Sequence, residues 1–164
     1  MEANGVRASI GDVNNEVEKD PMYLVTRPGQ RGIITIRDFQ SLVGSLLWIA
    51  RCTRPDISIA VHKDTRRTTE PSLSDWKLAK RITRYLRKTK SMKLRMEVAG
   101  NGRARICLAS WSDSDFAADK LDLKSVTGEV VTMDGAVVQW ICKKQTRVSL
   151  STMEAEFISA SHVT

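Results

Sequence analysis

Arg84-Tyr85-Leu86-Arg87-Lys88-Thr89-Lys90-Ser91-Met92-Lys93-Leu94-Arg95-Met96-Glu97-Val98 is the stretch in which the chain changes its period. Upstream of it, Trp76, Ala79, Ile82 and Leu86 recur at helical spacing, and Lys77, Lys80, Arg81, Arg84 and Arg87 fill the opposite face. Downstream, Leu94, Met96 and Val98 alternate with charged residues, which is the rhythm of a half-buried strand. A single switch from period 3.6 to period 2, with helical patterns on one side and strand patterns on the other, predicts a segregated α+β fold rather than alternating βαβ units.

Working upstream, Ser72 to Asp75 reads as a capping box that starts the basic helix, and Glu70-Pro71 ends the helix before it. Pro55 suits the first position of that preceding helix, with Ile57, Ala60 and Val61 on its apolar side. Phe39, Leu42, Val43, Leu46, Leu47 and Ala50 form an amphipathic helix that stops at Cys52-Thr53-Arg54-Pro55. Working downstream, Ala99-Gly100-Asn101-Gly102 is a hairpin signal, and a second strand follows over residues 104–111. Residues 127–133 and 136–142 form another pair joined at Asp134-Gly135, and Ser151 caps a last helix over residues 152–161. The expected order is three helices, four antiparallel strands and one helix. The expected domains are a polar irregular arm (residues 1–36), a helical subdomain (37–91) and a sheet domain with one C-terminal helix (92–164).

The 164 residues are 41% hydrophobic and 27% charged, a folded rather than disordered composition. The formal net charge of +7 favours polyanionic partners or a nuclear address. The longest apolar stretch, residues 39–50, is interrupted by Gln40, Ser41 and Ser45 and falls short of the about 20 residues a bilayer needs, so no membrane span is expected. The first 22 residues hold five acids and two bases, with no apolar core of a secretory signal. Cys52, Cys107 and Cys142 lack metal-ligand or CxxC spacing, His62 and His162 stand apart, and reduced, mostly buried thiols are expected.

Two constellations carry chemistry. Asp113 and Asp115 follow the second strand, while Glu154 and Glu156 lie in the first turns of the last helix. Strand-end and helix carboxylates together are one way to hold Mg²⁺, although turn chemistry and the helix dipole favour acids at the same places. The second is electrostatic: Lys80, Arg81, Arg84, Arg87, Lys88, Lys90, Lys93 and Arg95 form a basic stretch without an acid. It reads as a solvated helix face, a phosphate-binding patch or a nuclear-import signal. Tyr85 alone interleaves it, so base stacking has little support.

The motifs resemble those of Ty1/copia-type retrotransposon polyproteins. Ser41-Leu42-Val43-Gly44-Ser45-Leu46-Leu47-Trp48-Ile49-Ala50, Thr53-Arg54-Pro55-Asp56-Ile57 and Trp76-Lys77-Leu78-Ala79-Lys80-Arg81 are similar to the connection segment. Trp111-Ser112-Asp113-Ser114-Asp115-Phe116-Ala117, Lys124-Ser125-Val126-Thr127-Gly128, Gln139-Trp140 with Lys143-Lys144-Gln145, and Leu150-Ser151-Thr152-Met153-Glu154-Ala155-Glu156-Phe157 are similar to the opening of the ribonuclease H domain. The resemblance implies a ribonuclease H-like sheet and Mg²⁺-dependent hydrolysis of RNA–DNA hybrids by two metals and four carboxylates. Asp113 and Glu156 match two of the four; Asp115 and Glu154 match family positions that are not ligands. The other two ligands are expected beyond Thr164, which implies an incomplete ribonuclease H domain with a vestigial pair, weak Mg²⁺ at most, and a chain that is not an enzyme. The resemblance also implies a missing strand beside residues 104–111, leaving an edge open to pairing or self-association.

Arg84-Tyr85-Leu86-Arg87 is an R-x-L-R string, the translocation signature of oomycete RxLR effectors, and the whole chain is similar to secreted effectors of downy mildews built on copia-type sequence. That resemblance implies secretion, uptake by a host plant cell with nuclear or cytoplasmic residence, an unknown host protein as partner, and suppression of cell death or immunity without catalysis.

Overall fold

Thr35 and Asp38 exchange bonds to open the first helix: the Thr35 hydroxyl accepts from the Asp38 amide at 3.2 Å, and Asp38 Oδ2 accepts from the Thr35 amide at 3.0 Å. In this computed structural model the described residues are 22–24, 34–96 and 106–161. The chain divides into two compact units, Met1–Lys93 and Leu94–Thr164.

The first unit holds α1 (Ile36–Cys52), a 3₁₀ turn (Pro55–Ile57), α2 (Ser58–Thr65) and α3 (Leu73–Lys88). Phe39, Val43, Leu46 and Ala50 of α1 meet Ile57, Ala60 and Val61, and Leu78, Ala79, Ile82 and Tyr85 of α3, in one core. Removing such side chains from water is the main source of stability, at about 1.5–3 kcal/mol for each large one. Pro55 opens the 3₁₀ turn rather than α2 itself. α2 stops at Thr65, five residues before the expected Glu70, because the polar run from His62 onward offers no apolar face to continue it. Ser72 and Asp75 form the expected capping box: Asp75 Oδ2 accepts from the Ser72 amide at 2.8 Å. The buried face of α3 is rotated from the expected one. Leu78 and Tyr85 are buried, whereas Trp76 and Leu86 pack half-buried at the margin. Met22–Leu24 lies antiparallel to the start of α3, with Leu73 N donating to Met22 O at 2.7 Å and Leu24 N to Pro71 O at 2.9 Å.

The second unit is an antiparallel sheet in the order β1 (Leu108–Asp115), β2 (Val126–Met133), β3 (Ala136–Lys144), followed by α4 (Thr152–Ser161). The fold is the expected α+β class, helices first, then sheet, then one helix. Asp134 (φ 50°) and Gly135 (φ 86°) make the β2–β3 hairpin with both central residues left-handed, as a type I′ turn requires. Among the described residues the sheet has three strands, not four. Residues 92–96, including Leu94 and Met96, are irregular, and the expected turn at 99–102 lies outside the described residues. β1 is shifted four residues toward the C-terminus of its expected position. Asp113 and Asp115 therefore lie within the strand, opposite Gly128 and Val126, rather than after it. Polar side chains are tolerated there because β1 is an edge strand, bonded only to β2 among the described residues. Cys52 and Cys107 are exposed and Cys142 half-buried, contrary to the expected burial: Cys52 ends α1 and Cys107 precedes β1, and neither faces a core.

Candidate functional site

The capping box that fixes the start of α3 also fixes which side chains it turns to water. With Leu78, Ala79, Ile82 and Tyr85 inward, Lys77, Lys80, Arg84, Arg87 and Lys88 are exposed and Arg81 is half-buried. Lys77, Lys80, Arg81, Arg84 and Lys88 follow helical spacing and form one stripe. Arg87 and Lys88 also occupy the last turn, where cations oppose the helix dipole. Lys90 and Lys93, which follow in the same unit, are exposed; Arg95, in the second unit, is exposed as well. Lys80 Nζ lies 5.2 Å from the centre of the Trp76 ring, a contact that steadies one cation without neutralising it.

Of the R-x-L-R string, Arg84 and Arg87 face water, Leu86 is half-buried and Tyr85 is 9% exposed. Tyr85 therefore belongs to the core and offers no stacking platform. Beneath the basic stripe lies a cluster that sequence reasoning missed. Arg54, 8% exposed, donates to Asp56 through Nε at 2.8 Å and Nη2 at 2.7 Å, and to Thr89 Oγ1 at 2.7 Å and Thr89 O at 3.2 Å. Its guanidinium also sits 5.6 Å over the Tyr85 ring. The bonds from Arg54 hold the Asp56 carboxyl below the usual carboxylate range. The Thr53-Arg54-Pro55-Asp56 run was the one local signal: an arginine ahead of a helix-starting proline, with an acid two residues on.

The acidic pair is in the second unit. Glu156 Oε1 accepts from the Ser114 amide at 3.3 Å, and the Ser159 hydroxyl donates to the Asp113 carbonyl at 2.9 Å. Both polar groups of the 113–114 peptide are thus held by α4, which brings the Asp113 and Glu156 positions together, both exposed. Glu154 acts within its own helix start. Its Oε2 accepts from the Leu150 amide at 2.7 Å, while Ser151 Oγ accepts from the Glu154 amide at 3.1 Å. Among the described residues no group of three or more Asp, Glu, His or Cys side chains is placed to hold a metal ion. A two-metal clamp needs more carboxylates than this pair supplies.

Gln145 positions α4, and its role was also missed. Buried at 4% exposure, its Nε2 donates to Thr127 Oγ1 at 3.1 Å, Ser114 Oγ at 3.3 Å and the Ala155 carbonyl at 2.9 Å, while its Oε1 accepts from Ser149 Oγ at 3.0 Å. Its neighbour Lys144 ties the loop between β1 and β2 to the sheet through Asp119 and Asp122, each at 2.7 Å. No helix of the described residues is long and apolar enough to cross a membrane.

Neither a family model nor a solved structure matches the chain. Secreted RxLR effector protein 161 of Plasmopara viticola is 32% identical over 126 residues, covering 77% of this chain and 86% of that protein. The Pol polyprotein from transposon TNT 1-94 of Nicotiana tabacum is 37% identical over 132 residues, which are 80% of this chain but 10% of the polyprotein. The Pol polyprotein from transposon RE1 of Arabidopsis thaliana is 35% identical over 125 residues, 76% of this chain and 8% of the polyprotein. The chain belongs to the family of secreted RxLR effector protein 161, a family similar in sequence to a short part of the Pol polyproteins of copia-type retrotransposons.

Proposed function

We propose that the chain is a non-enzymatic RxLR-type effector that acts inside a host plant cell by contact, and that the basic face of α3 makes the contact. The observation that carries this reading is the solvent-exposed stripe Lys77, Lys80, Arg84, Lys88, with exposed Arg87, Lys90 and Lys93 in the same unit. An array of that kind suits a phosphate backbone or an acidic protein surface and lends itself to nuclear import. The secreted effector relative supports secretion and effector activity as the setting. The test is expression in leaf tissue together with a cell-death elicitor, with imaging of nuclei. The expected result is delayed death and nuclear signal, both lost with Arg84→Ala and Arg87→Ala together. Unchanged death with the protein outside nuclei overturns the reading.

A second reading, hydrolysis of RNA–DNA hybrids, is favoured by the juxtaposition of Asp113 and Glu156 across β1 and α4. Within the described residues Glu156 Oε1 accepts from a backbone amide, and no group of three or more potential metal ligands gathers around the pair. Hybrid cleavage with added Mg²⁺, abolished by Asp113→Asn, would establish it; no cleavage by the purified chain removes it.

A further inference from the structure

Ser91 follows the end of α3 in a turn closed by the Met92 amide, which donates to the Thr89 carbonyl at 3.0 Å. Its side chain is exposed, and its hydroxyl has no hydrogen-bond partner among the described residues. Arg87 and Lys88 stand four and three residues before it, Lys90 directly before it and Lys93 two residues after it, all exposed and all in the first unit. Two other hydroxyls share this basic surrounding but are held differently. Thr89 is half-buried: its Oγ1 donates to the Tyr85 carbonyl at 2.8 Å and accepts from Arg54 Nη2 at 2.7 Å. Thr83 sits inside α3, its Oγ1 donating to the Ala79 carbonyl at 2.9 Å.

We propose that Ser91 is a phosphorylation site for a basophilic protein kinase, and that phosphate there switches off the basic face of α3. The switch deepens the contact reading above and rests on it; the modification itself does not. Kinases choose acceptors by charge pattern, and cations ahead of the hydroxyl suit a kinase with an acidic cleft. The hydroxyl must also enter that cleft on an extended segment. Residues 92–96 are already irregular, and the last turn of a helix frays at little cost, so Ser91 can be presented together with Lys88 and Arg87. Thr83 can be presented only by unwinding α3, and Thr89 only by giving up its bond from Arg54. In the transfer, the kinase's catalytic carboxylate takes the Ser91 Oγ proton, Oγ bonds to the γ-phosphorus of ATP, and the bond from that phosphorus to the ADP oxygen breaks. The product carries about −1.5 to −2 charges at neutral pH, which offsets about two of the neighbouring cations.

The experiment treats the full chain with a purified basophilic kinase and Mg²⁺-ATP, and mass spectrometry locates the phosphate. The expected result is phosphate on Ser91 at least about tenfold faster than on Thr89 or Thr83, with none at this position in Ser91→Ala and a rate at least about fivefold lower in Lys88→Ala. Circular dichroism checks that both variants fold as the unmutated chain does. The phosphorylated chain should bind a single-stranded oligonucleotide at least about tenfold more weakly at low salt, with a slope of log affinity against log salt lower by about 1.4. No phosphate on Ser91, or equal rates on Thr89 or Thr83, overturns the site. Phosphate on Ser91 with unchanged oligonucleotide binding overturns the switch. Phosphate on Ser91 with no oligonucleotide binding by either form keeps the site and removes the polyanion reading.

Discussion

Asp64 lies on α2 with no solvent exposure, and neither carboxylate oxygen finds a hydrogen-bond partner among the described residues. Burial, and after it the charge of Asp75, pushes its pKa from 3.8 to about 8, with Lys63 opposing. The folded form therefore keeps a proton that the unfolded chain releases above pH 3.8. The Asp64 contribution to stability is highest below that pH, falls as pH rises, and levels off once the folded carboxyl ionises near pH 8. Between about pH 5 and 7 the loss amounts to about 2–3 kcal/mol, and Asp64→Asn should flatten that slope in urea titrations at several pH values. Arg54 works in the opposite sense. Its bonds lower the Asp56 pKa, so their contribution is present above pH 3.8 and lost as pH falls through the lowered folded value. Arg54→Ala should cost about 2–3 kcal/mol at neutral pH, because it takes the cation away from Asp56 and removes the tie to Thr89. Asp64 and Arg54 both escaped sequence reading, since a buried charge looks like a surface charge until the packing around it is known.

At the scale of elements, the capping box at Ser72 and the period carried most of the fold, while the Thr35–Asp38 box that starts α1 went unread. Ser72 with Asp75 set the start of α3 correctly, and Asp134-Gly135 set the β2–β3 turn, because each depends on residues within a few positions. The phase of α3 and the position of β1 depend on what each element packs against, and there local pattern erred. Trp76 and Leu86 satisfy the helical rhythm as well as Leu78 and Tyr85 do; only the facing α1 and α2 decide between them. The difference is measurable. Ile82→Ala should cost about 3–4 kcal/mol, while Leu86→Ala, at the margin, should cost about 1–2, both read from denaturant midpoints at unchanged slope. In the sheet, Gln145→Leu keeps the volume but leaves the Ala155 carbonyl and the Ser149 hydroxyl without their partner. It should cost about 2–3 kcal/mol, read the same way.

For the whole molecule, charge is the property most plainly legible in the sequence, yet its arrangement is not. The formal +7 conceals five acids and two bases in the first 22 residues, and a basic stripe that exists only once α3 folds. If that stripe binds single-stranded nucleic acid, Arg84→Ala and Arg87→Ala together should lower the slope of log affinity against log salt by about 1.4, about 0.7 for each phosphate no longer neutralised, with little change in stability. The acidic pair was legible as residues but not as a place, because Glu156 comes beside the 113–114 peptide only through the docking of α4 on β1. That docking supplies an internal probe. The Ser114 amide is shielded from deuterium while Glu156 holds it, so its protection, compared with that of a Glu156→Gln variant, gauges how firmly α4 sits on β1.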